Sequence, residues 1–211
     1  MRQADWFFDY ISPYAYLQFH QLGRLPGDVE VCFRPVLFAG LLNHWGQLGP
    51  AEILVKKRHT FLLTHWRAGK IGLPFKAPPR HPFNPLTLLR MTIAKGADRE
   101  TVATIFDHIW AQGQDGQARE SMLAIAAKLG IDDLDSATGD PAVKNELRRN
   151  TEEAVAKGVY GVPSFSIEGQ LFWGDDMFDL MLEWLQDPGV LENPEAQRIM
   201  ALEPAAERRR G

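Results

Sequence analysis

The chain has few cysteines, no excess of basic charge and no long apolar run. Its single cysteine, Cys32, among 211 residues excludes an internal disulfide, a C-x-x-C redox pair and a metal site made of several cysteines. A net charge of −4 offers no basic surface for nucleic acid. No stretch approaches the ~18 uninterrupted apolar residues of a membrane span, and the N-terminus lacks the apolar core of a signal peptide. We therefore expect a protein of a reducing compartment, most simply the cytoplasm, that binds neither nucleic acid nor membrane.

The sequence also lacks the short motifs of nucleotide-binding loops, serine-hydrolase elbows and zinc-protease helices. Its six histidines show no spacing typical of metal ligands, so no metal site is predicted. The sequence is instead rich in apolar and aromatic residues. Hydrophobic residues make up 45% of the chain, with 12 Phe and 6 Trp, which is enough for a sizeable core and excludes intrinsic disorder.

Strand signals occur at both ends of the chain. Residues 6–10 (WFFDY) are typical of a buried strand, and residues 29–36 (VEVCFRPV) alternate apolar residues on one face. Between them, Ser12 and Pro13 are a strong signal for a helix start, with Ser12 at the N-cap. This β-α-β order predicts a parallel pair of strands with a right-handed crossover. Cys32, in the middle of the second strand, is predicted to be a small buried hydrophobe.

Near the other end, residues 162–169 and 170–173 predict a hairpin, and residues 175–185 predict an amphipathic helix that begins with two acidic residues. From about residue 50 to 158 the periodicity is mostly helical. Five helices are predicted there, over residues 51–68, 85–94, 99–111, 119–129 and 140–156.

The predicted order is β-α-β, then a block of helices, then β-β-α. This is the connectivity of an α/β fold in which a thioredoxin-like domain carries an inserted all-helical domain. We expect the thioredoxin-like domain to comprise residues 1–45 plus 158–190, and the helical insertion to comprise residues 46–157. Residues 191–211 are predicted to be a charged, loosely held tail.

Ser12 lies where the first strand passes into the first helix. As a plain N-cap, its hydroxyl would contribute ~1 kcal/mol to the helix. Alternatively, a hydroxyl among free helix N–H groups, at the positive end of the helix dipole, would favour an anion such as a thiolate. The residue type and its position fit both interpretations.

Two more segments could carry a site. Pro163 is either a simple strand-entry proline or, with a cis bond, a residue that turns the Val162 backbone N–H and C=O outward for an extended peptide. Residues 173–176 (WGDD) lie at the last strand-to-helix junction. There Asp175 either caps the helix, or a carboxylate of the pair binds an ammonium group at the sheet end where ligands of α/β folds bind.

Four segments occur in a specific order over residues 5–187: FDYISPYAYL, HPFNPL, GVYGVPSF and LFWGDD. Together they resemble the 2-hydroxychromene-2-carboxylate isomerase family, which is related to kappa-class glutathione transferases and to DsbA-like disulfide oxidoreductases. The resemblance implies the thioredoxin fold with a helical insertion and glutathione as cofactor. It also implies a small aromatic acid as substrate and a homodimer.

The resemblance assigns roles to individual residues. Ser12 takes the position that begins C-x-x-C in the oxidoreductases, and would hold the glutathione sulfur. Val162 would pair through its backbone with the γ-glutamyl-cysteine portion, and Asp176 would engage the γ-glutamyl end. The implied glutathione-binding residues are Ser12, Val162, Pro163, Trp173, Gly174, Asp175 and Asp176, and the implied substrate-binding residues are Lys56, Asn84 and His81.

Some of these positions have simpler interpretations, and one departs from the family. Lys56 stands in a charged run that is typical of a solvated helix face, and Asn84 before a proline is typical of a turn or a helix N-cap. Relatives often have Asp-Arg where this chain has Asp176-Met177. The anchoring of the last helix, or the binding of an anion there, is therefore expected to differ.

The implied reaction interconverts 2-hydroxychromene-2-carboxylate and trans-o-hydroxybenzylidenepyruvate, with glutathione as a nucleophile that is returned unchanged. A kappa-like glutathione transferase that conjugates small electrophiles is an alternative, and a non-catalytic glutathione- or peptide-binding module is another. Dithiol exchange is excluded, because the stretch matching C-x-x-C holds no thiol.

Overall fold

The structure of the protein, a computed structural model, describes residues 1–206. Its four strands are β1 (Arg2–Phe8), β2 (Val29–Pro35), β3 (Ser164–Ile167) and β4 (Gln170–Trp173). They form one sheet in the order β2-β1-β3-β4. β1 is parallel to β2 and antiparallel to β3, and β3 is antiparallel to β4. The predicted parallel start and the predicted hairpin are confirmed.

The described residues also form ten α-helices. They are α1 (Pro13–Phe19), α2 (Phe38–Trp45), α3 (Leu54–Lys70), α4 (Leu86–Ala94), α5 (Arg99–Phe106), α6 (Arg119–Lys128), α7 (Leu134–Gly139), α8 (Pro141–Ala156), α9 (Phe178–Gln186) and α10 (Pro194–Met200), all within residues 1–206. α5 continues into a π-helical segment, Asp107–Ala111. Within the same residues, no helix has both the length and the apolar composition needed to cross a membrane.

The structure corrects several predicted boundaries. β1 begins at Arg2 and not at residue 6, because the residues at its start lack an apolar pattern but still pair with β2 along the backbone. α2, α7 and α10 are not predicted. α7 has six residues and α10 seven, too few to show a helical period clearly. α10 lies within the predicted loose tail, whose residues 207–211 lie outside the described part of the chain.

An aromatic cluster under the sheet holds the segment between β1 and α1. Trp6 stacks on Phe8 with ring centroids 4.6 Å apart, and Tyr10 packs edge-on against Phe106 at 4.7 Å. The indole of Trp110 donates a hydrogen bond of 2.8 Å to the Tyr10 carbonyl. Because all five side chains are fully buried, the chain just before Ser12 is fixed by both the sheet and the inserted helices.

The prediction that Cys32 is buried is wrong. It is half-buried on the edge strand β2, with its Sγ atom 2.9 Å from Oε1 of Gln3. Side chains alternate along a strand, so Val31 and Phe33 face the apolar core while Cys32 faces the opposite, charged side of the sheet. Burial and the neighbouring Asp5 raise the pKa of this thiol, which disfavours the reactive thiolate.

Candidate active site

Ser12 joins the start of α1 to the segment before β3. It is the N-cap of α1, where its Oγ accepts a hydrogen bond from the Ala15 N–H at 3.2 Å. The same hydroxyl donates to the Val162 carbonyl oxygen at 3.2 Å. The side chain is buried, so its one proton is committed to Val162 in this structure.

The Val162–Pro163 peptide bond is cis, as one of the two interpretations of this proline supposed. The Val162 carbonyl does not point outward as expected, because Ser12 occupies it. Among residues 1–206, the Val162 N–H makes no hydrogen bond and can pair with an extended ligand. The Pro163 carbonyl accepts from the Gly174 N–H at 2.8 Å, which links this segment to the turn after β4.

The turn between β4 and α9 is held from the side of α1. Gln18 donates through Nε2 to the Gly174 carbonyl at 3.0 Å, and its Oε1 accepts from the Trp6 indole at 2.6 Å. Gly174 has a φ of 91°, and a Cβ there would lie 2.4 Å from Oδ1 of Asp176. Only glycine fits such a position without strain, so the turn brings the Asp176 carboxylate close against its own backbone.

Asp175 does not cap a helix. α9 begins at Phe178, three residues later than predicted, and the Asp175 carboxylate turns inward. Its Oδ1 accepts from Nε2 of Gln21 at 3.1 Å, and its Oδ2 lies 2.8 Å from Nη2 of Arg67 on α3. Burial raises the pKa of Asp175 to about 6, and the Arg67 charge opposes that rise.

Exposed aromatic side chains flank this turn. The Trp173 indole is 41% exposed and packs against Tyr160, with ring centroids 4.9 Å apart. A Cβ at Gly161 would lie 2.2 Å from the Trp173 ring nitrogen, so the indole lies directly on that backbone. Asp176 is exposed. Burial raises the pKa of Tyr160, and the Asp176 charge raises it further. An exposed aromatic pair and an exposed carboxylate thus flank the turn after β4.

His81 contacts the loop that carries Ser12. Its ring Nε2 lies 2.8 Å from the Ile11 carbonyl oxygen, and the ring packs edge-on against Phe61 at 4.9 Å. Burial lowers the pKa of His81, which favours the neutral ring. The His81 carbonyl in turn accepts a hydrogen bond from Nζ of Lys57. His81 therefore lies beside the site, where it holds the peptide just before Ser12.

Lys56 and Asn84 lie further out. Lys56 is exposed on α3, while its neighbour Lys57 makes the inward contact. The Asn84 side chain is exposed, and its Oδ1 accepts from the Leu86 N–H at 3.0 Å, which is the turn contact expected of an asparagine before proline. Sequence reasoning missed Lys57 and Arg67, although both fall on the inward half of α3.

Comparison with known proteins identifies the family and the fold. Residues 3–186 match the family model of the DSBA-like thioredoxin domain. The chain is 28% identical over 196 residues to a 2-hydroxychromene-2-carboxylate isomerase of Sphingobium xenophagum, covering 88% of this chain and 99% of the relative. It is 26% identical over 207 residues to glutathione S-transferase kappa 2 of Caenorhabditis elegans, covering 88% and 92%.

Among solved structures, a 2-hydroxychromene-2-carboxylate isomerase superposes with a TM-score of 0.76 at 20% identity, covering 92% of this chain and 98% of that one. This likeness confirms the predicted thioredoxin-like architecture with its added helices. Because the family model spans most of the sequence, the chain belongs to the family of proteins with a DSBA-like thioredoxin domain.

Proposed function

We propose that this protein is a glutathione-dependent isomerase that interconverts 2-hydroxychromene-2-carboxylate and trans-o-hydroxybenzylidenepyruvate. The observation that carries the proposal is the hydrogen bond from Ser12 to the Val162 carbonyl, because it joins a hydroxyl to a backbone segment that can pair with a peptide. Relatives named as isomerases and as kappa-class glutathione transferases support a role in this group of reactions.

Glutathione would lie along the segment before β3. Its cysteine would pair with the Val162 N–H beside Pro163, which places its sulfur near Ser12. Its γ-glutamyl end would reach the turn after β4, where Asp176 is exposed to accept from an ammonium group. Asp175 is fully buried, so it supports this end through Gln21 and Arg67 and does not touch the ligand.

Trp173 and Gly174 complete the glutathione site. The exposed Trp173 indole offers an apolar wall for the peptide, and the close packing at Gly174 keeps the neighbouring carboxylate at the rim. Lys56 is exposed and lies on the same face of α3 as Arg67. Its ammonium is therefore available for the substrate carboxylate. Asn84 and His81 would lie on the substrate side, with His81 acting through the Ile11 carbonyl.

The chemistry needs a nucleophile that the chain does not supply. The glutathione thiolate would add to an unsaturated carbon of the substrate, forming a C–S bond while the electron pair moves to the conjugated carbonyl. Rotation or ring opening follows, and the same electron pair returns to expel the thiolate, so glutathione is regenerated. The Ser12 hydroxyl would release Val162 and donate to the sulfur anion, which lowers the thiol pKa.

Product analysis tests the reaction. The protein should interconvert the two aromatic acids in the presence of glutathione, followed by ultraviolet absorbance, while the concentration of free thiol stays constant. A conjugate that accumulates as thiol disappears would instead identify a kappa-like transferase. Glutathione binding without turnover of any electrophile or aromatic acid would identify the non-catalytic module.

Thermal unfolding tests the binding site. Millimolar glutathione should raise the melting temperature, because a ligand that binds only the folded state stabilises it. Asp176→Ala should reduce this rise and leave the unliganded melting temperature unchanged, whereas Asp175→Ala should lower the unliganded value, because Arg67 loses its partner. Asp179→Ala, which removes an exposed carboxylate one turn further along, is the matched control. An unchanged melting curve with glutathione contradicts the cofactor assignment.

We further propose a cytoplasmic homodimer that acts in aromatic catabolism. The outer face of α3 supports the dimer, since Val55, Leu62 and Trp66 are 61%, 67% and 59% exposed and follow one helical face. Sedimentation velocity tests this proposal: a single monomeric species at micromolar concentration would contradict it.

A further inference from the structure

Arg67 reaches from α3 into the turn that carries the candidate glutathione-binding carboxylates. Its Nη2 lies 2.8 Å from Oδ2 of Asp175, whose side chain is fully buried. The Arg67 side chain itself is 31% exposed. No second carboxylate of residues 1–206 lies within ion-pair distance of it. Since a guanidinium has five N–H donors in one plane, donors on its exposed side are available to a ligand.

The residue that follows Asp175 carries an exposed negative charge. Asp176 is exposed, and within residues 1–206 it takes part in no ion pair, whereas Asp175 and Asp179 each pair with an arginine. The charges of Arg67, Asp175 and Asp176 all act on the Tyr14 phenol. Burial raises its pKa most, Arg67 lowers it, and Asp176 and Asp175 raise it further. The partly exposed Arg67 cation and the exposed Asp176 anion therefore both lie near the Tyr14 side chain.

This pair of charges matches a zwitterion. The free amino-acid end of a γ-glutamyl peptide carries an ammonium and a carboxylate on the same carbon. An aspartate alone would accept from the ammonium but would repel the adjacent carboxylate. A guanidinium next to it removes that repulsion and adds charge-assisted hydrogen bonds.

We propose that Arg67 binds the α-carboxylate of the γ-glutamyl group of glutathione while Asp176 binds its ammonium. The assignment rests on the proposed function, since it names the group that Arg67 would bind in that same site. Asp175 is a positioning residue here: it would touch no ligand, its Oδ2 forms an ion pair with the guanidinium, and its other oxygen accepts a hydrogen bond from Gln21.

Two glutathione analogues isolate the two charges. 4-Aminobutanoyl-cysteinylglycine lacks the α-carboxylate, and glutaryl-cysteinylglycine lacks the α-amino group. Isothermal titration calorimetry with the whole chain would compare both analogues with glutathione. We expect the wild type to bind the first analogue about ten- to a hundred-fold more weakly, the usual effect of losing a hydrogen bond to a charged group.

The variants assign that penalty to a residue. Arg67→Met should bind glutathione about ten- to a hundred-fold more weakly and should no longer distinguish it from the analogue without the carboxylate. It should still bind the glutaryl analogue more weakly than glutathione, because Asp176 is intact. Arg58→Met is the matched control: Arg58 is exposed on the opposite side of the same helix, and its loss should change no affinity.

The outcomes separate this inference from the proposed function. A wild type that binds no glutathione contradicts the proposed function. A wild type that binds glutathione and the decarboxylated analogue equally well contradicts the role of Arg67 without any mutation. An Arg67→Met protein that keeps the full penalty also contradicts it. If Arg67→Met does not fold because Asp175 is left buried and unpaired, the double variant Arg67→Met with Asp175→Asn removes both charges and gives the same comparison.

Discussion

Replacing Ser12 with alanine removes a single hydroxyl that makes two hydrogen bonds. One caps α1 through the Ala15 N–H, and the other reaches the Val162 carbonyl, both at 3.2 Å. Loss of a helix cap costs about 1 kcal/mol, and loss of a buried hydrogen bond costs about 1 kcal/mol more. In a domain of this size each kcal/mol lowers the melting temperature by about 2–4 °C. We expect a folded variant that melts about 4–8 °C lower.

The effect on the rate has a different origin. Under the proposed mechanism the hydroxyl donates to the glutathione sulfur as negative charge gathers there. A hydrogen bond to a charged group is worth about 1.5–3 kcal/mol, so Ser12→Ala should react about ten- to a hundred-fold more slowly. A residue that only caps a helix would give the loss of stability without this loss of rate.

The assay measures the isomerisation rate with saturating glutathione, together with the ultraviolet absorbance of bound thiolate. Asp98→Ala is the matched control, because Asp98 caps α5 through a 2.7 Å hydrogen bond from the Thr101 N–H. It should lose about 1 kcal/mol, the cap's share of the Ser12 effect, and keep the full rate. Ser12→Cys is a second probe, since its thiolate can attack oxidised glutathione, form a mixed disulfide and release one reduced glutathione, which blocks the site until reductant is added.

One result would refute this reasoning. If Ser12→Ala melts lower, as the lost cap requires, but keeps the wild-type rate and the wild-type thiolate signal, then the hydroxyl is structural only. The thiolate would then need another donor, and the Val162 N–H, which makes no hydrogen bond within residues 1–206, would be the first group to consider.

Two other predictions concern groups outside these steps. The protein should not reduce insulin, because dithiol exchange needs two thiols and Cys32 is the only one in the chain; strong activity that disappears in Cys32→Ala would contradict this. Burial raises the pKa of Asp9 to about 7 from 3.8, so between these values the native chain holds a proton that the unfolded chain releases. The contribution of Asp9 to the free energy of unfolding should therefore fall by about 4 kcal/mol as the pH rises from about 4 to about 7, measured as the difference between wild type and Asp9→Asn in urea titrations. Asp9→Asn should give a flatter profile, and equal slopes would show that Asp9 does not titrate there.

The elements that the sequence predicts well are those with local signals. β2 begins at Val29 as predicted, because alternation is visible within a few residues. α1 begins at Pro13 because a serine N-cap followed by proline is itself a local signal. α8 starts one residue from its predicted position for the same reason, with Asp140 as N-cap and proline after it.

The details of the site could not be predicted in this way. In the sequence, Asp175 has the position of a helix cap. No neighbouring residue indicates that its carboxylate forms an ion pair with Arg67, which is distant in the chain. The positions of Ser12, Val162 and Asp176 in the site rest on a resemblance to a family and not on periodicity. Arg67 belongs to no sequence motif. Its contact with Asp175 arises only from the tertiary packing of α3 against this turn.

The central position of β1 has a consequence for how the protein is made. β1 can pair with β2 as soon as both strands are made, but its other edge stays unpaired until β3 is synthesised. Ser12 and Val162 are 150 residues apart in the chain. At about 5–20 residues per second, a ribosome needs about 8–30 seconds to cover that distance. Throughout that interval the nascent chain carries an unpaired strand edge and an unfinished site, while the intervening helices can already form from local contacts. A chain released before residue 164 would keep that edge open permanently, so such fragments are expected to aggregate.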